Sequence, residues 1–258
     1  MPRLRYIQNP NCPVHQVQHV LIGSKYRQLY NDFFESHGII PIYVEDNSDV
    51  DLRLSGHVDL SVFHLGNNRL IVSPAVLDTL RNSFNTHGLT MECYPADNQN
   101  EAYPNDCGLN VCYSGKYIIY NKKTADKNIV NYLTNNNVDK EIIINQGYSK
   151  CNICIVDSNS IITGDPGIAL KCRELGLDVL MIHNEDIHLN GFNYGFIGGC
   201  SFKMNQNELV FTGRFKNNND EEQINHFLNK RGINITYMSN QIINDIGGVL
   251  PITEITEE

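Results

Sequence analysis

Apolar and polar positions along the chain fall into one arrangement that recurs. Five segments carry the spacing of an amphipathic helix: residues 25–37, 75–87, 124–136, 166–175 and 219–231. Short apolar runs follow them, starting at residues 38, 88, 141, 176 and 232, and four of the five open with glycine. Glycine just past a helix takes up the left-handed conformation at no steric cost, and a run this short reads as a buried strand. Four of the helices are preceded by alternating runs that turn at polar residues. These are 57–73 about Gly66-Asn67-Asn68, 107–121 about Ser114-Gly115, 151–163 about Asp157-Ser158-Asn159, and 200–212 about Asn205-Gln206-Asn207. Polar turns between alternating runs predict β-hairpins. The unit is therefore strand, strand, helix, strand, of about fifty residues.

The first helix is preceded only by the single apolar run 17–23, and the chain ends with an unpaired one, 242–252. Pairing of these two would complete the fifth hairpin, close a ring and remove the exposed edges of an open array. The pattern predicts an α/β fold, a five-bladed β/α propeller with pseudo-fivefold repeats, formed by one domain over residues 1–258. A doubly wound parallel sheet fits less well, because it needs a crossover after every strand and leaves no place for hairpins.

Composition narrows the partners. A chain of 258 residues with 41% hydrophobic content can bury a sizeable core. A net charge of -9 provides no general basic surface, so no nucleic acid is expected as a ligand. No run approaches the roughly eighteen apolar residues of a membrane span, and no apolar signal follows Met1, so no membrane and a cytoplasmic location are expected. Eight cysteines without a secretion signal read as reduced thiols, most of them small core residues. Cys151 and Cys154 would point to opposite faces of a strand, and no second pair has ligand spacing. Neither a metal nor another cofactor is expected.

In such a ring, the residues that open each hairpin converge on the axis. They are Gly56-His57-Val58-Asp59, Asp106-Cys107-Gly108, Lys150-Cys151-Asn152 and Gly198-Gly199-Cys200. Two residues apart on a strand, His57 and Asp59 would share a face. A cysteine attacks only as thiolate; a histidine can move its proton, and an acid can orient that histidine. Further carboxylates would grip a planar guanidinium in bidentate fashion.

The string Gly56-His57-Val58-Asp59, followed through Phe63 by Leu70-Ile71-Val72-Ser73-Pro74, resembles the histidine motif of the agmatine and arginine deiminases, which are penteins. The stretch from Asn152-Ile153 through Pro166-Gly167-Ile168 and Leu177-Asp178-Val179 to Gly198-Gly199-Cys200 resembles the segment leading to their nucleophile. The resemblance implies a cofactor-free amidinohydrolase or amidinotransferase acting on a small guanidino compound, with His57, Asp59 and Cys200 in the catalytic roles. Counted in units around the ring, however, the family's nucleophile lies two units after its histidine, which points to Cys151 or Cys154. The choice among Cys107, Cys151, Cys154 and Cys200 stays open at this level. The family's acidic motifs precede its histidine; a circularly shifted ring would supply them here from Asp106 and Asp245, as substrate-binding residues. Specificity is expected from loops 94–104 and 184–196, and oligomeric state is left open. The same ring also serves a non-catalytic ribosome-binding factor that prevents subunit joining. In that alternative the thiols only pack the channel wall.

Overall fold

The computed structural model describes residues 2–97, 99–100, 103–136 and 138–256. The first unit holds β1 (Arg3–Tyr6), β2 (Gln16–Gly23), α1 (Arg27–Ser36) and β3 (Ile40–Val44), and the second holds β4 (Val62–Gly66), β5 (Arg69–Val72), α2 (Leu77–Thr86) and β6 (Glu92–Pro95). The third comprises β7 (Cys112–Tyr113), β8 (Tyr117–Tyr120), α3 (Lys127–Asn136) and β9 (Lys140–Ile143). A one-turn helix α4 (Ser149–Asn152) then leads into β10 (Ile153–Asp157), β11 (Ser160–Thr163), α5 (Pro166–Glu174) and β12 (Asp178–Met181). The last full unit is β13 (Ser201–Asn205), β14 (Glu208–Phe211), α6 (Asn218–Asn229) and β15 (Asn234–Tyr237), and the chain ends in β16 (Leu250–Thr256).

In each full unit the first two strands pair antiparallel and the third joins the second in parallel, giving four separate three-stranded sheets. The fifth sheet has the order β1-β16-β2-β3. Within it β16 runs antiparallel to β2, with Leu250 opposite Leu21 and Pro251 opposite Val20, so head and tail pair as the sequence predicts. Two details differ. The closing strand is 250–256 rather than 242–252; Ile242 and Asn244 make only isolated bridges, to Arg214 and His188. The second is β1, which adds an unforeseen fourth strand on the outer side of β16.

The apolar runs are continuous because each sheet is buried on both faces, and strand alternation divides its residues between two cores. Ile153 and Ile155 of β10 pack with the third unit, against Ile119 and Ile142. Cys154 and Val156 of the same strand pack with the fifth, against Phe211 and Ile224. The same sharing joins the first unit to the second through Ile42 and Phe84, and the second to the third through Phe63 and Tyr113. Tyr30 and Phe34 of the first unit pack against Phe202 and Val210 of the fifth, so the order of shared cores is cyclic.

Helices α1, α2, α5 and α6 are followed by Gly38, Gly88, Gly176 and Gly232, with φ between +65° and +96°. A Cβ at Gly88 would meet nothing within 4 Å, so backbone conformation alone calls for glycine there. Gly88→Ala is expected to lower stability by about 1 kcal/mol, read from the urea midpoint. An unchanged midpoint would remove that role.

Candidate functional site

The residues that open the units do converge, though not by strand alternation. Val58–Leu60, Asn105–Cys107 and Ile197–Cys200 form single 3-10 turns, and Cys151 sits in α4, each just ahead of its unit's first strand. His57 and Asp59 thus lie on a helical turn, not on one face of a strand. A strand would have set the two side chains side by side; the turn brings Asp59 to a thiol 92 positions along the chain.

That thiol is Cys151. Its Sγ donates to Asp59 Oδ2 at 2.8 Å, and a ring nitrogen of His57 joins the two so that all three donor atoms lie within 4.8 Å of one another. Asn110 holds the cysteine from the other side: its Nδ2 donates to Sγ at 3.1 Å and its Oδ1 accepts from the Cys151 backbone N–H at 3.0 Å. Asp245, just ahead of the closing strand β16, stands with Oδ1 3.9 Å from His57 Nδ1. Its carboxylate is aimed by the backbone N–H groups of Phe196 (2.8 Å) and Gly247 (3.0 Å). Side chains cannot be added around it. A Cβ at Gly199 would overlap the Asp245 carboxylate, and one at Gly247 would overlap His57.

All of these groups are buried. Burial, followed by the field of Asp59 and Asp245, pushes the Cys151 thiol well above its ordinary range, while Asn110 opposes that. Burial likewise raises Asp59, against the pull of His57 and Cys151. The thiol is therefore held neutral and donates its hydrogen bond to the Asp59 carboxylate. Its polar capacity is also unfilled: among the described residues, His57 Nε2, Asp59 Oδ1 and Asp106 Oδ1 are buried with no hydrogen-bond partner. Native interiors rarely leave such atoms alone, and here His57 borders an open cavity.

The cavity, about 270 Å³, is bounded at its buried end by His57, Cys151 and Asp245. Leucines and aromatic rings complete it, with Phe192 and Tyr194 partly exposed at the outer end. Tyr148 is one of the rings; its hydroxyl donates to Asp106 Oδ2 at 2.5 Å. Asp106 therefore stands behind an aromatic wall, itself raised by burial. Loop 184–196 supplies Leu189, Phe192, Tyr194 and Phe196 to the lining. Of the other loop expected to set specificity, residues 98, 101 and 102 lie outside the described residues.

Cys200, which the motif resemblance favoured as nucleophile, does not join this group. It is buried among Cys154, Ile162, Phe211 and Ile224, with Sγ donating to Phe196 O at 3.2 Å. The Gly-Gly pair in front of it has another use. A Cβ at Gly198 would strike backbone oxygens of Lys150, Cys151 and Ile153, and one at Gly199 would strike Asp245. Both glycines thus let the fifth unit press against α4 and the acid. Cys107 is not among the three clustered donors, its Sγ donating to Pro104 O at 3.1 Å, and Cys154 is buried in the same cluster as Cys200. Sequence reasoning passed over Asn110 and Tyr148. Asn110 could have been found by its place two residues ahead of β7, at the entry to a first strand.

His57, Asp59 and Cys151 offer nitrogen, oxygen and sulfur donors of the kind a zinc-like ion takes. The 2.8 Å separation of Sγ and Oδ2 suits one shared proton; two ligands of a tetrahedral ion stand about 3.5 Å apart. The set would have to open to hold a metal.

The family described as a family of unknown function, DUF6873, matches residues 21–250. No curated protein is similar enough in sequence to count as a relative. Solved structures resemble the chain over nearly its whole length. The inosamine-phosphate amidinotransferase of Streptomyces griseus covers 96% of this chain and 97% of its own, with a TM-score of 0.58 at 9% identity. For the agmatine deiminase of C. jejuni the values are 92%, 90%, 0.57 and 11%. DDAH from Pseudomonas aeruginosa, in complex with citrulline, covers 93% of this chain and 100% of its own, with a TM-score of 0.54 at 7% identity. All three are penteins, and the mixed α/β fold with five small sheets is theirs.

Proposed function

The chain belongs to the family of unknown function DUF6873, and we propose that it is a cysteine-dependent guanidine-modifying enzyme in which Cys151, not Cys200, is the nucleophile. The fold on this reading is a single five-bladed β/α propeller, with the site in its central channel. The observation that carries it is the Cys151 thiol hydrogen-bonded to Asp59, beside His57, at the end of a cavity whose only charged lining group is the Asp245 carboxylate among the described residues.

Two buried carboxylates beside the thiol, Asp59 and Asp245, make a site for a cation. A planar guanidinium can take a fork from each carboxylate, and its carbon then lies before the thiol. Its positive charge offsets the carboxylates whose field holds the thiol protonated, so binding itself favours the thiolate. The proton passes to His57, whose Nε2 has no other partner. The Sγ–C bond forms, and the C–N bond to the departing amine breaks as that amine takes the proton from His57. An S-amidino cysteine results. Water or an acceptor amine then attacks its carbon, with His57 accepting the proton, and Sγ leaves. Asn110 Nδ2 steadies the sulfur in each ionised state.

The test is covalent trapping. The wild-type protein and a His57→Gln variant are incubated with alkylguanidines, quenched in acid and analysed by peptide mass. An amidino adduct on Cys151 is expected in the wild type quenched during turnover, and little or none in the variant, because His57 both takes the thiol proton and protonates the departing amine. Adduct on another cysteine would displace Cys151, and neither adduct nor amine release from any guanidine would end the reading. Turnover is expected to survive EDTA, in keeping with the shared-proton distance; loss of turnover restored by zinc would assign the three donors to a metal.

A further inference from the structure

We propose that the substrate carries its guanidinium on a neutral, apolar group, not on an amino acid. This rests on the reading that Cys151 attacks a guanidinium. Beyond the reacting groups, the cavity is lined by Leu54, Leu60, Leu189 and aromatic rings, with Asn193 as the one neutral amide. Among the described residues, no Lys or Arg lines it, so a substrate carboxylate would be stripped of water with no fixed cation to pair with. The aromatic lining continues to the surface, where Phe192 is 39% and Tyr194 45% exposed. Rings left open to water at a cavity mouth are the expected partners of an apolar ligand.

A cation beside the lining residue Phe192 is Arg53, and it is already engaged. Its Nε and Nη2 fork onto the Asp51 carboxylate at 3.0 and 2.6 Å, and its Nη1 donates to Gly191 O at 3.0 Å. Its guanidinium also lies over the Phe192 ring, 4.3 Å from the centroid. It therefore covers one face of that ring, which is closed to a second substrate cation. Arg53 thus offers an α-carboxylate no free fork, and leaves a terminal ammonium one ring face fewer.

The experiment is calorimetric titration of guanidine, ethylguanidine, pentylguanidine, arginine and agmatine into the Cys151→Ser protein, which binds without turnover. Affinity is expected to rise about threefold to fourfold per methylene from ethylguanidine to pentylguanidine. Pentylguanidine is expected to bind at least about tenfold more tightly than arginine or agmatine. In a Phe192→Ala variant the gain from the longer chain should shrink while guanidine binds as before. If arginine or agmatine binds as tightly as pentylguanidine, the apolar assignment is overturned and the guanidinium site stands. Should guanidine and all its derivatives fail to bind, the guanidinium reading falls, and this inference with it.

Discussion

Replacing Cys151 by serine is expected to lower turnover of a guanidino substrate by about ten-thousandfold, because a serine hydroxyl in the same place has no base strong enough to ionise it. Binding should persist, since Asp59 and Asp245 are untouched. The informative comparison is Cys200→Ala. Cys200 is buried in an apolar cluster, and its thiol meets the Phe196 carbonyl and the Thr212 hydroxyl, away from His57 and Asp59. Its loss is expected to cost about 1–2 kcal/mol of stability and to leave kcat within about threefold. Turnover lost in the Cys200 variant and kept in the Cys151 variant would restore the role that the Gly-Gly-Cys resemblance implied. Peptide-level amine release assays on both variants decide between them.

Asp59→Asn is expected to move three readouts in directions that a merely structural role would not combine. Losing a buried charge that grips the guanidinium should lower kcat/KM by about a hundredfold to a thousandfold. Alkylation of Cys151 by iodoacetamide in the free protein should instead accelerate, by about tenfold, because the field of Asp59 is one of the causes holding the thiol neutral. The third readout is stability against pH. Burial raises the Asp59 carboxyl above 3.8 in the folded state. Between 3.8 and the folded value the native protein binds more protons than the unfolded chain, so stability falls as pH rises through that window. Asparagine has no such loss. The variant should melt above the wild type at neutral pH, and the two should approach each other near pH 3. A variant less stable at pH 7, with slower alkylation, would place Asp59 in the architecture and out of the chemistry. Raised stability with lost activity is the usual mark of a site held under electrostatic strain.

The repeat was legible in the chain because its signals are local. Apolar alternation, polar turns and the glycines after α1, α2, α5 and α6 each depend on a few adjacent residues, and all survive into the structure. Pairing of head and tail was legible for a related reason, as the only partner available to an incomplete hairpin at each end. His57, Asp59, Asp106 and Asp245 were likewise marked as candidates, by their type and by their place at the entries to the units.

Tertiary structure alone decided which thiol meets His57 and Asp59. Cys107, Cys151 and Cys200 occupy similar places in their units, yet each sits on or beside a single helical turn, where one step of rotation swings a side chain by about 100–120°. No short-range pattern fixes that phase; it is set by what presses on the turn. In α4 the pressing groups are Asn110 from the third unit and the backbone of Gly198, and they face Cys151 to Asp59. In the turn before β13 the Asp245 carboxylate fills the space beside Gly199, and Cys200 lies in the apolar core. Residues 41 to 92 positions apart make those contacts, so their outcome could be decided only by the packing of the units against one another.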